Sequence, residues 1–231
     1  MLEAIGLTKT YQDHVALKDL NLKVEAGEVF CLLGQNGAGK TTTINLFLGF
    51  TKASGGEARV NGIVVSPNNT PTKRYLAYIP EVVMLYGHLS GIENLDFFSR
   101  IAGYKYKIDA LEAFLLQAGL QPDAFRKSVG HYSKGMRQKV GIAIAVAKNA
   151  KVILMDEPTS GLDPKATDEF SEIVKQLSRD GRSVFMATHD IFNAVNVGTR
   201  IGIMRQGSLV QSFNASDISA VDLQKLYLKT I

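Results

Sequence analysis

Among its 231 residues the chain has a single cysteine, Cys31, so no disulfide can form within it, which agrees with a reducing compartment. That cysteine lies in the apolar run Val29-Phe30-Cys31-Leu32-Leu33, where a buried, unreactive thiol is expected. No window approaches the roughly 18 consecutive apolar residues of a membrane-spanning helix. The first residues, Met1-Leu2-Glu3-Ala4-Ile5, lack the basic-then-apolar layout of a signal peptide, and the expectation is a soluble intracellular chain. Internal repeats, low-complexity tracts and linkers are also missing. Charge of one sign is scarce: 26 Lys and Arg face 22 Asp and Glu, a net of +4. Without a basic block interleaved with aromatics, nucleic acid is not an expected partner. A mild positive charge does suit work beside an anionic cytoplasmic leaflet.

What is present is an ordinary globular composition, 45% hydrophobic and 21% charged, long enough for one large α/β domain with a subordinate lobe. Strands are predicted over Leu2–Leu7, Leu22–Val24, Val29–Leu33 and Glu57–Val60, and Asn61-Gly62 signals a hairpin into Ile63-Val64-Val65. Residues 66–71 read as loop, and a short strand ends at Ala77-Tyr78-Ile79 before Pro80. From about Ser90 to Lys148 the pattern turns helical. Ile92, Leu95, Phe98 and Ala102 form a stripe that Phe97, Ile101 and Tyr104 widen, and further helices are read over Asp109–Gln117 and Ser133–Lys148, with Ser133 as N-cap. Strand and helix then alternate through Lys151–Met155, Lys165–Ser178, Ser183–Thr188 and Ile191–Val197. A hairpin of Arg200–Met204 with Ser208–Gln211 follows, and Ala215–Ile231 reads as a short amphipathic helix. Such alternation implies a mainly parallel sheet covered on both faces, interrupted by an inserted helical lobe.

The most informative segment is Gly34-Gln35-Asn36-Gly37-Ala38-Gly39-Lys40-Thr41, a G-x-x-x-x-G-K-T phosphate cradle between an apolar strand and Thr42-Thr43-Ile44, which can continue as a helix. Its glycines let successive N–H groups point at phosphate oxygens, and the helix N-terminus adds its positive end. Lys40 is expected to reach the β- and γ-phosphates and the Thr41 hydroxyl to sit on Mg2+, so ATP and Mg2+ are the expected ligands. A second carboxylate-bearing run, Val152-Ile153-Leu154-Met155-Asp156-Glu157, is a buried strand ending in two acids at the carboxyl edge of the sheet. Asp156 is expected to hold Mg2+ and Glu157 to polarise the water that attacks the γ-phosphate.

Asp156-Glu157-Pro158-Thr159-Ser160-Gly161-Leu162-Asp163 resembles the Walker B and D-loop run of ATP-binding-cassette (ABC) ATPases, and Ala187-Thr188-His189-Asp190 resembles that family's switch histidine. Tyr132-Ser133-Lys134-Gly135-Met136-Arg137-Gln138 stands where the family signature stands, and Tyr11 resembles the aromatic on which adenine stacks. Motif order agrees over residues 2–212. The resemblance implies a P-loop NTPase fold: a core over 1–88 and 150–212 with an antiparallel β part, a helical subdomain over 89–149 and a C-terminal helix over 213–231. It further implies catalytic roles for Glu157, His189 and Lys40. Nucleotide contacts are implied for Tyr11, Gly34, Asn36, Gly37, Ala38, Gly39, Lys40, Thr41 and Thr42. Ser133 and Gly135 would act in trans on ATP held by a second copy, with Asp163 connecting the two sites. Metal-side residues are Thr41, Glu81 and Asp156.

Two positions depart from the family pattern. The common Leu-Ser-Gly-Gly-Gln reads Tyr132-Ser133-Lys134-Gly135-Met136, and Glu81 replaces a usual glutamine. Both are similar to a subgroup of prokaryotic ABC ATPases, mostly exporters, that work with six-helix membrane subunits. The implied function is an ATP-hydrolysing transporter subunit: a head-to-tail homodimer, peripheral on the inner face of the cell membrane, driving a separate polytopic permease. Met84, Leu85 and Tyr86, with Phe97, Ile101 and Tyr104, are candidate docking residues. Two rivals exist: a soluble ABC ATPase acting on DNA or ribosomes, and an ATP sensor that does not hydrolyse. The first usually carries two cassettes or a splitting coiled coil, and Glu157 argues against the second.

Overall fold

A computed structural model describes residues 1–67 and 71–230. The loop expected at Asn68, Asn69 and Thr70, and the final helix residue Ile231, lie outside the described residues.

Ten strands and seven helices alternate along the described chain. β1 (Leu2–Tyr11), β2 (His14–Val24), β4 (Gly55–Val60) and β5 (Ile63–Val64) form an antiparallel sheet in the order β2-β1-β4-β5. Opposite it, β3 (Val29–Leu33), β6 (Leu76–Ile79), β7 (Val152–Asp156), β8 (Ser183–Thr188), β9 (Arg200–Arg205) and β10 (Ser208–Asn214) form a sheet in the order β10-β9-β3-β8-β7-β6. Within it only the β9–β10 pair is antiparallel. β3 and β8 are buried at every position, as required of strands with a layer on each face.

The period of two along these strands sorts the core into two layers. Cys31, Leu33, Ile153, Met155, Val184 and Met186 face a helical side, where α2 (Gly91–Ile101), α3 (Ile108–Gln117), α4 (Lys134–Ala147) and α5 (Pro164–Arg179) contribute Leu95, Leu115, Val140 and Val174. Phe30, Leu32, Leu154 and Phe185 face the other way, onto Phe47 of α1 (Lys40–Leu48) and Leu2, Leu7 and Leu20 of the antiparallel sheet. Phe30 and Phe185 stack there with centroids 5.9 Å apart. Cys31 is fully buried, and burial alone pushes its thiol far above the usual range, so it is inert.

The helix starts carry their own signals. Ser90 and Glu93 close a capping box on α2, Ser133 accepts from the Met136 N–H at the start of α4, and Asp163 accepts from Ala166 with Pro164 at the first position of α5.

The edges differ from expectation. β1 runs on to Tyr11 and β2 begins at His14, because Lys9, Thr10 and Tyr11 pair with Leu17, Val15 and His14 across a hairpin broken by register shifts. β10 extends to Asn214, paired with Arg200, so residues 213 and 214 are strand. The C-terminal stretch is not one helix: a 3-10 turn over Ala215–Asp217 precedes α7 (Ala220–Thr230), which begins after Ser219, whose hydroxyl accepts from the Asp222 N–H. On α2 the wide apolar stripe divides. Ile92 and Leu95 are buried, while Ile101 is 68% exposed and Phe97 and Tyr104 are open to solvent.

Candidate active site

In the large sheet β3, β8 and β7 are neighbours, with Leu33 level with Thr188 and Ala187 level with Asp156. Their parallel run brings three loops out side by side at one sheet edge: the phosphate cradle, His189, and the Asp156-Glu157 pair.

The cradle turns through Gly37 (φ 82°) and Gly39 (φ 111°), both in the left-handed half of backbone space that favours glycine. A Cβ on Gly39 would lie 2.7 Å from the Ala16 carbonyl oxygen, so the loop is seated against β2. Lys40 is 6% exposed, and its ammonium donates to the Gly34 carbonyl at 2.5 Å and the Gln35 carbonyl at 3.3 Å. It also lies 3.3 Å from Glu157 Oε1. The Thr41 hydroxyl donates to Asp156 Oδ2 at 2.9 Å.

Glu157 has a positive φ of 46°, uncommon for a non-glycine residue, and its N–H donates to the Ala187 carbonyl at 2.9 Å. Its Oε2 accepts from the His189 N–H at 3.2 Å and lies 2.8 Å from His189 Nδ1. Its Oε1 is buried and accepts no hydrogen bond, and its one charged neighbour at this range among the described residues is the Lys40 ammonium, 3.3 Å away. A buried polar set ties these loops together behind the cleft. Asn193, in α6 (Ile191–Val197), lies 2.8 Å from the Ser171 hydroxyl of α5 and donates to the Thr159 hydroxyl at 3.4 Å. Burial raises the Asp156 carboxyl above its ordinary value, and the negative charges of Glu157 and Glu81 add to this; the Thr41 hydroxyl and Lys40 oppose them.

A cleft of about 420 Å³ opens in front of this edge. Of the expected residues, Tyr11, Asn36, Gly37, Gly39, Lys40, Thr41, Thr42, Glu81, Asp156 and Glu157 line it. Gly34 and Ala38 lie behind that wall; Ala38 faces an adjoining cavity of about 190 Å³. Within one chain Ser133, Gly135 and Asp163 stand away from the cleft: Ser133 and Asp163 cap helices, and a Cβ on Gly135 would meet Ala166 at 3.6 Å. The sequence reading missed His14 and Ala16, which also line the cleft, beside Gln35 of the cradle itself. His14 pairs with Tyr11 across the β1–β2 turn, and the run His14-Val15-Ala16-Leu17 carries no alternation that would mark it as strand.

Thr41, Asp156 and Glu81 present hydroxyl and carboxylate oxygens, the hard donors that suit Mg2+. Among the described residues no group of three or more His, Cys, Asp and Glu could hold a metal ion by itself.

A phosphate cradle opening a helix, a paired acid at the end of a nearby strand and a histidine just past the end of the strand between define a P-loop ATPase. The ABC transporter family profile matches residues 17–160, and the chain belongs to that family as an ABC ATP-binding subunit that hydrolyses ATP. It is 35% identical over 220 residues to an uncharacterised ABC transporter ATP-binding protein, YhcH of Bacillus subtilis, covering 94% of this chain and 71% of that one. It is 32% identical over 212 residues to the bacitracin transport ATP-binding protein BcrA of Bacillus licheniformis, covering 91% and 69%. The dimeric ATP-binding cassette MJ0796, in a post-hydrolysis state bound to ADP and Pi, superposes with a TM-score of 0.82 at 27% identity, covering 93% of this chain and 99% of that one.

Proposed function

We propose that this ATPase drives an exporter: two copies meet head to tail with ATP between them and move a separate polytopic membrane subunit from the inner face of the membrane. One observation carries the catalytic part, the Glu157 carboxylate at the cleft wall with one oxygen oriented by His189 and the other paired with Lys40, which exposes it on moving to the phosphates. Glu157 is the general base that takes a proton from the attacking water through Oε1. His189 holds Oε2 and faces the γ-phosphate, and Lys40 shifts from the Gly34 carbonyl to the phosphates. Thr41, Asp156 and Glu81 would hold Mg2+, which supplies charge neutralisation on the β- and γ-phosphate oxygens. Adenine stacks on Tyr11, and Gly34, Asn36, Gly37, Ala38, Gly39 and Thr42 complete the phosphate cradle. Ser133, Gly135 and Asp163 lie outside the cleft in one chain, which agrees with a role toward the nucleotide of a second copy. Export is supported by the BcrA relative and by the linearmycin resistance ATP-binding protein LnrL of Bacillus subtilis.

The membrane subunit would dock on the apolar surface around residues 82–104. Met84 is 78% exposed, and Val82, Tyr86 and Phe97 are exposed with it. Tyr86 meets Phe97 edge to face at 4.9 Å, so the loop after β6 and α2 contribute to one patch. Among the described residues no helix is long and apolar enough to cross a membrane.

The test uses a tagged Glu157→Gln form expressed in its own host and recovered from detergent-solubilised membranes with ATP and Mg2+. Co-purification of a polytopic membrane protein is the expected result. Recovery only from the soluble fraction, with ribosomes or nucleic acid attached, would overturn the transport reading.

A further inference from the structure

The two departures from the family pattern, Glu81 and Lys134, meet in space. Lys134 Nζ lies 3.6 Å from Glu81 Oε1, and the Ser160 hydroxyl donates to that same oxygen at 2.8 Å. One turn along α4 from Lys134, and on the same face, the fully buried Gln138 donates through Nε2 to the Pro80 carbonyl at 3.2 Å and the Glu81 carbonyl at 3.1 Å. Gln138 thus fixes the backbone at Glu81, while Ser160 and Lys134 fix its carboxylate.

Lys134 is the first residue of α4, whose first turn contains no acid. A cation there opposes the positive end of the helix, so its placement calls for a compensating anion. Glu81 lines the nucleotide cleft, and its charge reaches Asp156. Left uncompensated, a carboxylate at that wall would repel an incoming triphosphate.

We infer that Lys134 is a positioning residue for Glu81: it holds and neutralises that carboxylate at the cleft edge, so that a glutamate there remains compatible with nucleotide binding. The pair joins the signature helix, the loop after β6 and the loop before α5 within one chain. This inference rests on the cleft being the ATP site and is independent of the transport reading.

The test is a double-mutant cycle in ATP binding, measured calorimetrically in EDTA at low ionic strength and at concentrations where sedimentation shows a monomer. Its four members are wild type, Glu81→Gln, Lys134→Gln and the double variant. For a partly exposed ion pair, Lys134→Gln is expected to weaken ATP binding roughly two- to fivefold in wild type and less than about 1.5-fold in Glu81→Gln. The loss should fade in 1 M salt, where the screening length is about 3 Å, and Lys134→Arg should retain affinity. Lys134→Ala replaces Lys134→Gln if the latter fails to fold by circular dichroism. Equal losses in both backgrounds, or no loss in either, would overturn the inference while leaving the transport reading to its own experiment.

Discussion

Adding one methyl group to the phosphate cradle separates backbone strain from steric closure. At Gly37, φ is 82° and nothing lies within 4 Å of an added Cβ; at Gly39, φ is 111° and the added Cβ falls 2.7 Å from the Ala16 carbonyl oxygen and 3.2 Å from Met204 Cε. Gly37→Ala therefore meets only the left-handed penalty, about 1–2 kcal/mol. At about 2–4 °C per kcal/mol for a chain of this size, its melting temperature should fall by about 2–8 °C. Gly39→Ala meets a less populated backbone region and a backbone oxygen that cannot rotate away. Its cost is about 3 kcal/mol or more if the loop stays in place. If the loop moves instead, the cradle N–H groups leave their aim and ATP affinity falls more than about tenfold, which is 1.4 kcal/mol. Thermal denaturation with and without ATP, beside calorimetric titration, reads both routes. Ligand stabilisation of RT ln(1 + [L]/Kd) should survive in Gly37→Ala and shrink in Gly39→Ala. Equal behaviour of the two variants, or wild-type melting and affinity in Gly39→Ala, would refute the seating of the cradle on β2.

Three further outcomes are expected. Tyr11, 44% exposed at the cleft mouth, should lose base stacking on Tyr11→Ala and raise the ATP Kd by about 5- to 150-fold, that is 1–3 kcal/mol, while Tyr11→Phe stays close to wild type in a titration. Asp156→Asn should abolish Mg2+-dependent hydrolysis yet raise the melting temperature of nucleotide-free protein at pH 7 by about 1–8 °C, for a gain of about 0.5–2 kcal/mol. The sign follows from the raised Asp156 carboxyl: the folded state binds that proton more tightly, so wild-type stability falls as pH rises above 3.8, and the variant's advantage should vanish toward that pH. Met84→Asp, on the exposed patch, should leave basal ATP hydrolysis within about twofold of wild type while losing the membrane partner in the co-purification assay; lost ATP binding would show that Met84 serves the core.

Segments whose local signal agreed with their tertiary setting were legible. The run from Val29 to Thr41 announces strand, cradle and helix, and Val152 to Glu157 announces a buried strand with acids at its end, because continuous apolar runs and fixed-spacing glycines leave few alternatives. The β1–β2 hairpin was illegible past Leu7. Its residues alternate weakly, three register shifts interrupt the ladder, and Asp19 within it takes a positive φ of 43°. His14 and Ala16 were lost with it, since they enter the cleft wall only through that pairing. On α2, helical spacing marked Phe97 and Ile101 as apolar without saying which side faced the core. The neighbours that decide this come from α3 and, farther along the chain, α4. The meeting of Lys134 with Glu81 is likewise a product of the crossover from β6 to α4.

Lys40 gives the cradle a further property. Its ammonium is held by the Gly34 and Gln35 carbonyls and lies beside Glu157, so the chain itself sets where the cation stands. On the proposed mechanism nucleotide would exchange partners on a cation already in position, at little cost in conformational entropy. Glu157 would then compete with the phosphates for the same lysine, and each turnover would pass that cation between carboxylate and phosphate.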